Sequence, residues 1–267
     1  MAVVGLKVLT DLEHGGRWTS LSGGGREWLW HRDEPRRAGA APGDEFADAG
    51  GLEECFPTIS GTPDHGEVWA RPWTRRADGA SGTDGAAVVT TERYELTRTL
   101  TEAAGVVVAD YRLAADPGFG FLWAAHALLD LSEQARIVVP AGVSTTVFDN
   151  ADPIATGPWP APAGTRLDLL GEPDGSATAA TLATGEVTIA DGPDRLTLRL
   201  EADAEPISTA LWRNLEGWPQ GAPYRSVGIE PMLGRAFDLA KAGPGEQARV
   251  PASGEMVWRL SVWAARE

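Results

Sequence analysis

Three stretches of this chain combine residue types that could do chemistry. The first is DHGEVWARPW, Asp64 to Trp73, with His65, Glu67, Trp69, Arg71 and Trp73 at its odd positions. In an extended backbone alternate side chains point to opposite faces, so these five would share one face. That face would carry an imidazole, a carboxylate, a guanidinium and two indoles, opposite the smaller Gly66, Val68, Ala70 and Pro72. A solvated edge has no need of two indoles, and a core face would need a partner for every charge. Polar groups set between flat aromatic surfaces suit a polyhydroxylated ligand, whose C–H faces stack on rings and whose hydroxyls bond to charged groups. An edge strand with Arg71 stacked on a tryptophan is the alternative. Pro72 restricts any such strand to an edge, a bulge or an end.

The second stretch, SVGIEPML, sets Glu230 in an otherwise apolar run. Pro231 holds the residue before it extended and away from helix. A carboxylate there is either a paired structural group or a base tuned by a pocket. The third, FGFLWAAHALLDL, carries His126. Short apolar runs fit a strand or a buried helix. The strand accounts for more, because Phe119, Phe121, Trp123, Leu129 and Leu131 all fall at odd positions and Pro117-Gly118 is a turn signal before them. His126 would then project from the less crowded face, as a satisfied core histidine or as an acid–base group.

The elements that must position these residues read as strands. Residues 1–30 form a first hairpin region about Gly15-Gly16, and the polar stretch 31–50 is a loop. Residues 77–86 are a second loop, and AVVTTERYELTRTLT and GVVVADYRLAA flank the turn Ala103-Ala104-Gly105. RIVVP and STTVFD follow as strands, and DPIATGPWPAPAGT as a proline-stiffened loop. EVTIADGPDRLTLRLEA is the clearest hairpin, with Leu196, Leu198 and Leu200 alternating with polar residues. ISTALWRN, YRSVGIEPMLG and EMVWRLSVWAA complete the set. Many short strands between turns predict an all-β chain. No linker divides it, so one domain over residues 1–267 is expected.

Composition narrows the partners. With 38 Asp and Glu against 23 Lys and Arg the net charge is −15, which repels nucleic acid and anionic membranes. The single cysteine, Cys55, excludes an intrachain disulfide and a cysteine-based zinc cluster. It reads as a small buried residue, and a reducing, cytoplasmic location is the expectation. No signal peptide pattern and no run of 18 apolar residues are seen. His14 and His31 read as ordinary surface histidines, and Glu53-Glu54 as candidates for a groove wall.

The ordered set GLEECFPTI, PDHGEVWARPW, LWAAHALLDL and LWRN…GWP…YRSVGIEPMLG resembles the aldose 1-epimerase (galactose mutarotase-like) superfamily. The resemblance runs from the GREWLW hairpin to the closing strand. It implies a β-supersandwich of twisted antiparallel sheets with a sugar site in an open groove. It also implies interconversion of the α and β anomers of an aldose, without metal or cofactor. By position, Glu230 would be the general base, His126 the general acid on the opposite side of the ring, and His65 a second histidine near the ring oxygen. Arg71 would bind a hydroxyl. Trp69, Trp212 and Trp218 would shape the pocket or pack the core, the core being favoured for Trp218. Asn214 would bind a hydroxyl or close a turn. The chain is shorter than galactose mutarotases and has no recognisable Asn-x-x-x-His-Gly-Gly segment. The expected partner is a small neutral sugar, and the expected assembly a monomer or homodimer. A non-catalytic carbohydrate-binding protein, or another sugar isomerase, epimerase or lyase, stands as the alternative, since a fold does not fix a function.

Overall fold

Burial alternates residue by residue along Tyr94–Ala103, Val106–Ala115 and Glu255–Arg266. Such alternation marks a sheet with one face on a core and one toward solvent. In the computed structural model, which describes residues 2–76, 86–203 and 206–267, these strands are adjacent in a nine-stranded antiparallel sheet. The sheet runs from Arg136–Val138 through Glu186–Asp191, Asp194–Ala202, Glu255–Arg266, Val106–Ala115, Tyr94–Ala103 and Ala87–Thr90 to Thr74–Arg75. Ala2–Val4 pairs with the end of the closing strand. Lys7–Asp11 and Arg17–Gly23 form the expected hairpin about Gly15-Gly16 within a second sheet, so the N-terminal stretch contributes to both sheets.

A second, ten-stranded sheet carries the residues of chemical interest. Its middle is Ser176–Leu182, Ile207–Leu215, Arg225–Leu233, Trp123–Leu129, Leu52–Cys55 and Arg17–Gly23, in that spatial order. Leu52–Cys55 and Trp123–Leu129 are buried at every position. Continuous burial means cover on both faces. On one face Leu52, Trp123, Ala125, Leu129, Leu211 and Ile229 meet Leu96, Leu113, Leu198 and Leu260 of the first sheet in the main core. On the other, Cys55, Ala124, Ala210 and Met232 lie under Ile59, Phe237 and Leu239 from loops. The result is a sandwich of two sheets packed face to face, and the expected all-β class is met.

Glu54 is turned into the core between the sheets, so it is not a groove wall. Its Oε1 accepts from Arg98 Nη1 and Tyr111 Oη, both at 2.7 Å, and its Oε2 accepts from Trp123 Nε1 at 2.8 Å. These partners give the buried carboxylate the satisfaction it needs.

Other expectations change. Asp152–Pro158 is a strand, not a loop. It lies at the sheet edge, where Pro153 and Pro158 need not donate to a further neighbour. Ser176–Leu182 is a strand built mostly of Ala and Thr, which left little hydrophobic signal. The 31–50 segment contains a short 3-10 helix, Pro35–Gly39. The loop expected over 77–86 lies outside the described residues except for Ala86. Among the described residues no helix is long and apolar enough to cross a membrane.

Candidate active site

Strand register brings His126 and Glu230 together. Ala124 faces Met232 and Leu128 faces Gly228 across their antiparallel pair. Midway between them His126 faces Glu230. On the opposite side His126 is in register with Glu53, so the imidazole sits between carboxylates from both neighbouring strands.

The two carboxylates are not equivalent. Glu53 receives Arg37 Nε at 2.8 Å and Nη2 at 3.0 Å, a bidentate pair. Arg37 Nη2 also donates to the carbonyls of His14 and Trp69, each at 2.8 Å. Glu230 instead has His126 Nδ1 at 3.0 Å from its Oε2. That contact falls outside hydrogen-bond geometry, and the charge of Glu230 is the larger part of its pull on the imidazole. Burial alone would lower the pKa of His126. The charge and contact of Glu230, helped by Asp48 and Glu53, outweigh it and raise the pKa to about 9. His126 is therefore a cation at neutral pH. Both groups are nearly buried, at 8 % and 3 % exposure, and both line one cleft of about 280 Å³. Small-molecule sites span roughly 300–1,000 Å³, so this one suits a small ligand. Gly228 leaves room for the Glu230 carboxylate: a Cβ there would lie 2.4 Å from its Oε1.

His65 reaches the same cleft from a loop. Its φ is 56° and that of Gly66 is 75°. Two successive left-handed residues end any extended run, and Val68–Ala70 then makes a 3-10 turn. The expected strand over residues 64–73 is thus absent, and its five residues do not share a face. Holding a non-glycine residue left-handed costs on the order of 1–3 kcal/mol. Packing holds it there. The His65 ring stacks on Phe46, with centroids 3.8 Å apart, and meets the His126 ring edge-on at 5.1 Å. His65 Nδ1 lies 2.9 Å from Asp64 Oδ1, which leaves Nε2 for another partner.

The other predicted site residues divide. Trp212 lines the cleft. Trp218 does too, 6.1 Å from Trp212 in a T-shaped contact and 49 % exposed, so the core expectation for it is corrected. Trp69 is fully buried behind Phe46 and donates Nε1 to the carbonyls of Asp64 and Gly66. Arg71 donates to Glu67 at 2.6 Å, and Tyr94 Oη donates to the same carboxylate at 2.9 Å. Neither Trp69 nor Arg71 lines the cleft. Asn214 is buried with its amide fully used. It donates to the carbonyls of Trp218 and Tyr224 at 2.8 Å and accepts from the N–H groups of Gly217 and Trp218 at 3.0 Å. It closes the turn that presents Trp218 and does not face a ligand.

Sequence reasoning missed Phe46 and Asp48, both from the 31–50 segment and both lining the cleft. Asp48 Oδ2 accepts from Tyr224 Oη at 2.6 Å. The available signal was Phe46 itself, the one Phe, Tyr or Trp in that polar stretch. The hairpin tip Asn150-Ala151 and Phe237 complete the wall.

Two alternatives to this site are weaker. Cys55, His65 and His126 offer donor atoms within 4.8 Å of one another. Burial and then the surrounding carboxylates, Glu230 first, push the Cys55 thiol well up. A metal there would have to displace the proton of the thiol and that of His126, since ligands bind deprotonated. A wider hollow of about 670 Å³ lies on the outer face of the nine-stranded sheet. Its charged groups include pairs such as Arg259 with Asp110 at 2.6 Å, and it holds no histidine.

No protein-family profile and no curated protein matches this sequence. Solved structures do. A protein of Synechocystis superposes with a TM-score of 0.73 at 13 % identity, over 99 % of this chain and 96 % of that one. A candidate mutarotase (YeaD) of Salmonella typhimurium gives 0.68 at 16 %, over 98 % and 88 %. A candidate aldose 1-epimerase of Escherichia coli K12 gives 0.70 at 13 %, over 98 % and 100 %. At such identities the likeness establishes the fold, which is the galactose mutarotase-like sandwich.

Proposed function

We propose that this chain, carrying the galactose mutarotase-like fold, is an aldose 1-epimerase acting on a free neutral sugar, with Glu230 as general base and His126 as general acid. One observation carries the reading: the imidazole of His126 and the carboxylate of Glu230 lie 3.0 Å apart in a cleft walled by aromatic rings.

Glu230 takes the proton from the anomeric hydroxyl. The lone pair left on that oxygen forms the aldehyde C=O as the bond from C1 to the ring oxygen breaks. The released electron pair stays on the ring oxygen, which His126 protonates. The aldehyde turns about its bond to C2. On closure His126 takes the proton back as the hydroxyl attacks C1, and Glu230 returns its proton to the new anomeric oxygen. Acid and base were expected on opposite sides of the ring, yet they are neighbours. Neighbours serve because the two oxygens they must reach are bonded to the same carbon. Each positioned acid or base contributes about 10²–10⁴ in rate.

Binding follows from the remaining walls. Phe46, Trp212 and Trp218 offer surfaces for C–H faces, while Asp48 and the free nitrogen of His65 offer groups for hydroxyls. Among the described residues no Lys or Arg lines this cleft, and its two carboxylates outnumber the one cationic imidazole, which disfavours a phosphate. Neutral aldoses are therefore favoured.

Polarimetry and NMR exchange on freshly dissolved glucose, galactose and other aldoses test the proposal. Wild-type protein should accelerate anomer exchange, and Glu230→Gln should reduce it by at least about 10²-fold with the fold retained. Exchange unchanged by the substitution removes Glu230 from the mechanism. Sugar binding with no exchange in the wild type would establish a carbohydrate-binding protein instead.

A further inference from the structure

A second hollow, of about 330 Å³, continues the cleft along the same sheet face. Ala151 lines both hollows. Between them stands an edge-to-face ring pair with centroids 4.8 Å apart, Phe237 on the side of the first and Phe148 on the side of the second. Ala210 in the first and Ser208 in the second are alternate residues of one strand. Ala179 and Thr181 repeat the relation on the next strand. Alternate residues of a strand lie about 7 Å apart, so the two hollows sit side by side on a scale comparable to one sugar ring.

The lining of the second hollow has a definite chemistry. Ser144, Thr146 and Thr181 supply hydroxyls, and Phe148 supplies an apolar surface. Arg235 and Lys241 are balanced by Asp152 and Glu246. Lys241 donates to Asp152 at 2.7 Å, and both side chains are at least half exposed, within reach of a ligand hydroxyl. Balanced charge gives no advantage to a phosphate, and the hydroxyl row gives none to a purely apolar ligand. The hairpin tip at the junction is also unusual. Asn150 and Ala151 have φ of 47° and 68°. A two-residue turn of that kind favours glycine in second place, yet this chain keeps a methyl group at the position that borders both hollows.

We propose that the second hollow is a sugar subsite, and that the preferred substrate is a reducing di- or oligosaccharide. Its reducing ring occupies the cleft at His126 and Glu230, and its next ring lies against Phe148 and the hydroxyl row. The inference rests on the aldose 1-epimerase reading of the first cleft.

The test compares anomer exchange of glucose, galactose, maltose, lactose and glucose 6-phosphate by NMR on the whole chain. Wild-type kcat/KM should be at least tenfold higher for one of the two disaccharides than for either monosaccharide. Ala183→Trp, which fills the second hollow and lies outside the first, should bring the disaccharide down to the monosaccharide level and leave the monosaccharide rate unchanged. Lys241→Ala, at an exposed position, is the second variant and should lower the disaccharide rate alone. Equal rates for both sugar sizes, a preference for the phosphate, or loss of both activities together in a folded Ala183→Trp protein would overturn the subsite. If no sugar exchanges in the wild type, the epimerase reading fails by itself. Saturation-transfer NMR with maltose then decides the subsite separately: contact with both rings supports it, and contact with one ring or none overturns it.

Discussion

His126 Nδ1 and Glu230 Oε2 lie 3.0 Å apart across neighbouring antiparallel strands without forming an aligned hydrogen bond. Glu53, on the other side of the same histidine, is engaged by Arg37 through both its oxygens. One carboxylate is thereby committed to structure. The other keeps its capacity for a ligand.

The pH dependence follows from this arrangement. Burial opposes the charged form of His126, but Glu230 prevails and raises the pKa from 6.5 to about 9. In the proposed role of general acid, His126 must be protonated to act. The exchange rate should therefore fall as pH rises through about 9, approaching tenfold per pH unit beyond it. Stability should move in the same direction. A raised folded-state pKa stabilises fully below the unfolded value near 6.5, and that contribution is lost as pH rises through the folded value. An NMR titration of the His126 ring, with rate and melting profiles from pH 6 to 10, checks both. In Glu230→Gln the ring titration should shift to lower pH.

Gly228 gives a test of positioning. A Cβ at residue 228 would come within 2.4 Å of Glu230 Oε1 and 3.1 Å of Trp212 Cβ. The carboxylate is the flexible member and should yield. Gly228→Ala should therefore displace Glu230, the proposed base, with little change in melting temperature. Misplacing a reacting group by about 1 Å can reduce rate about 10²-fold. Retained kcat in the variant would show that the carboxylate has room to recover.

Arg37 is a stability residue beneath the site. Arg37→Met leaves the buried Glu53 without its bidentate partner, a kind of change that costs about 3–5 kcal/mol. Urea unfolding should report that loss. Adding Glu53→Gln should restore part of it, because the uncompensated charge is gone. Additive losses in the double variant would contradict this account.

Asn214 and Trp218 should separate support from contact. Asn214→Ala strands several buried groups, each costing about 1–3 kcal/mol, and should lower the melting temperature. Trp218→Ala removes a half-exposed ring and should leave stability within about 0.5 kcal/mol while raising KM for the sugar. Calorimetry and steady-state kinetics on the two variants make the comparison. Equal melting losses would mean that Trp218 is packed as core.

By itself the sequence determined the all-β class, the extended setting of Glu230 before Pro231, and a strand for His126. Those features are local: alternation of side chains and the restriction before proline act over a few residues. Only the tertiary structure decided which distant residues meet. His126 faces Glu230 because two strands pair in one register and not another, and a shift by one residue would turn either side chain to the opposite face. His65 enters the cleft through a left-handed backbone that no propensity of histidine requires, held by the ring of Phe46. Asn214 was ambiguous in the chain because its role depends on carbonyls of Trp218 and Tyr224, and Asp152–Pro158 became a strand because a neighbouring edge was there to pair with it. Pairing and packing are properties of residues far apart in sequence, and only folding brings them into contact.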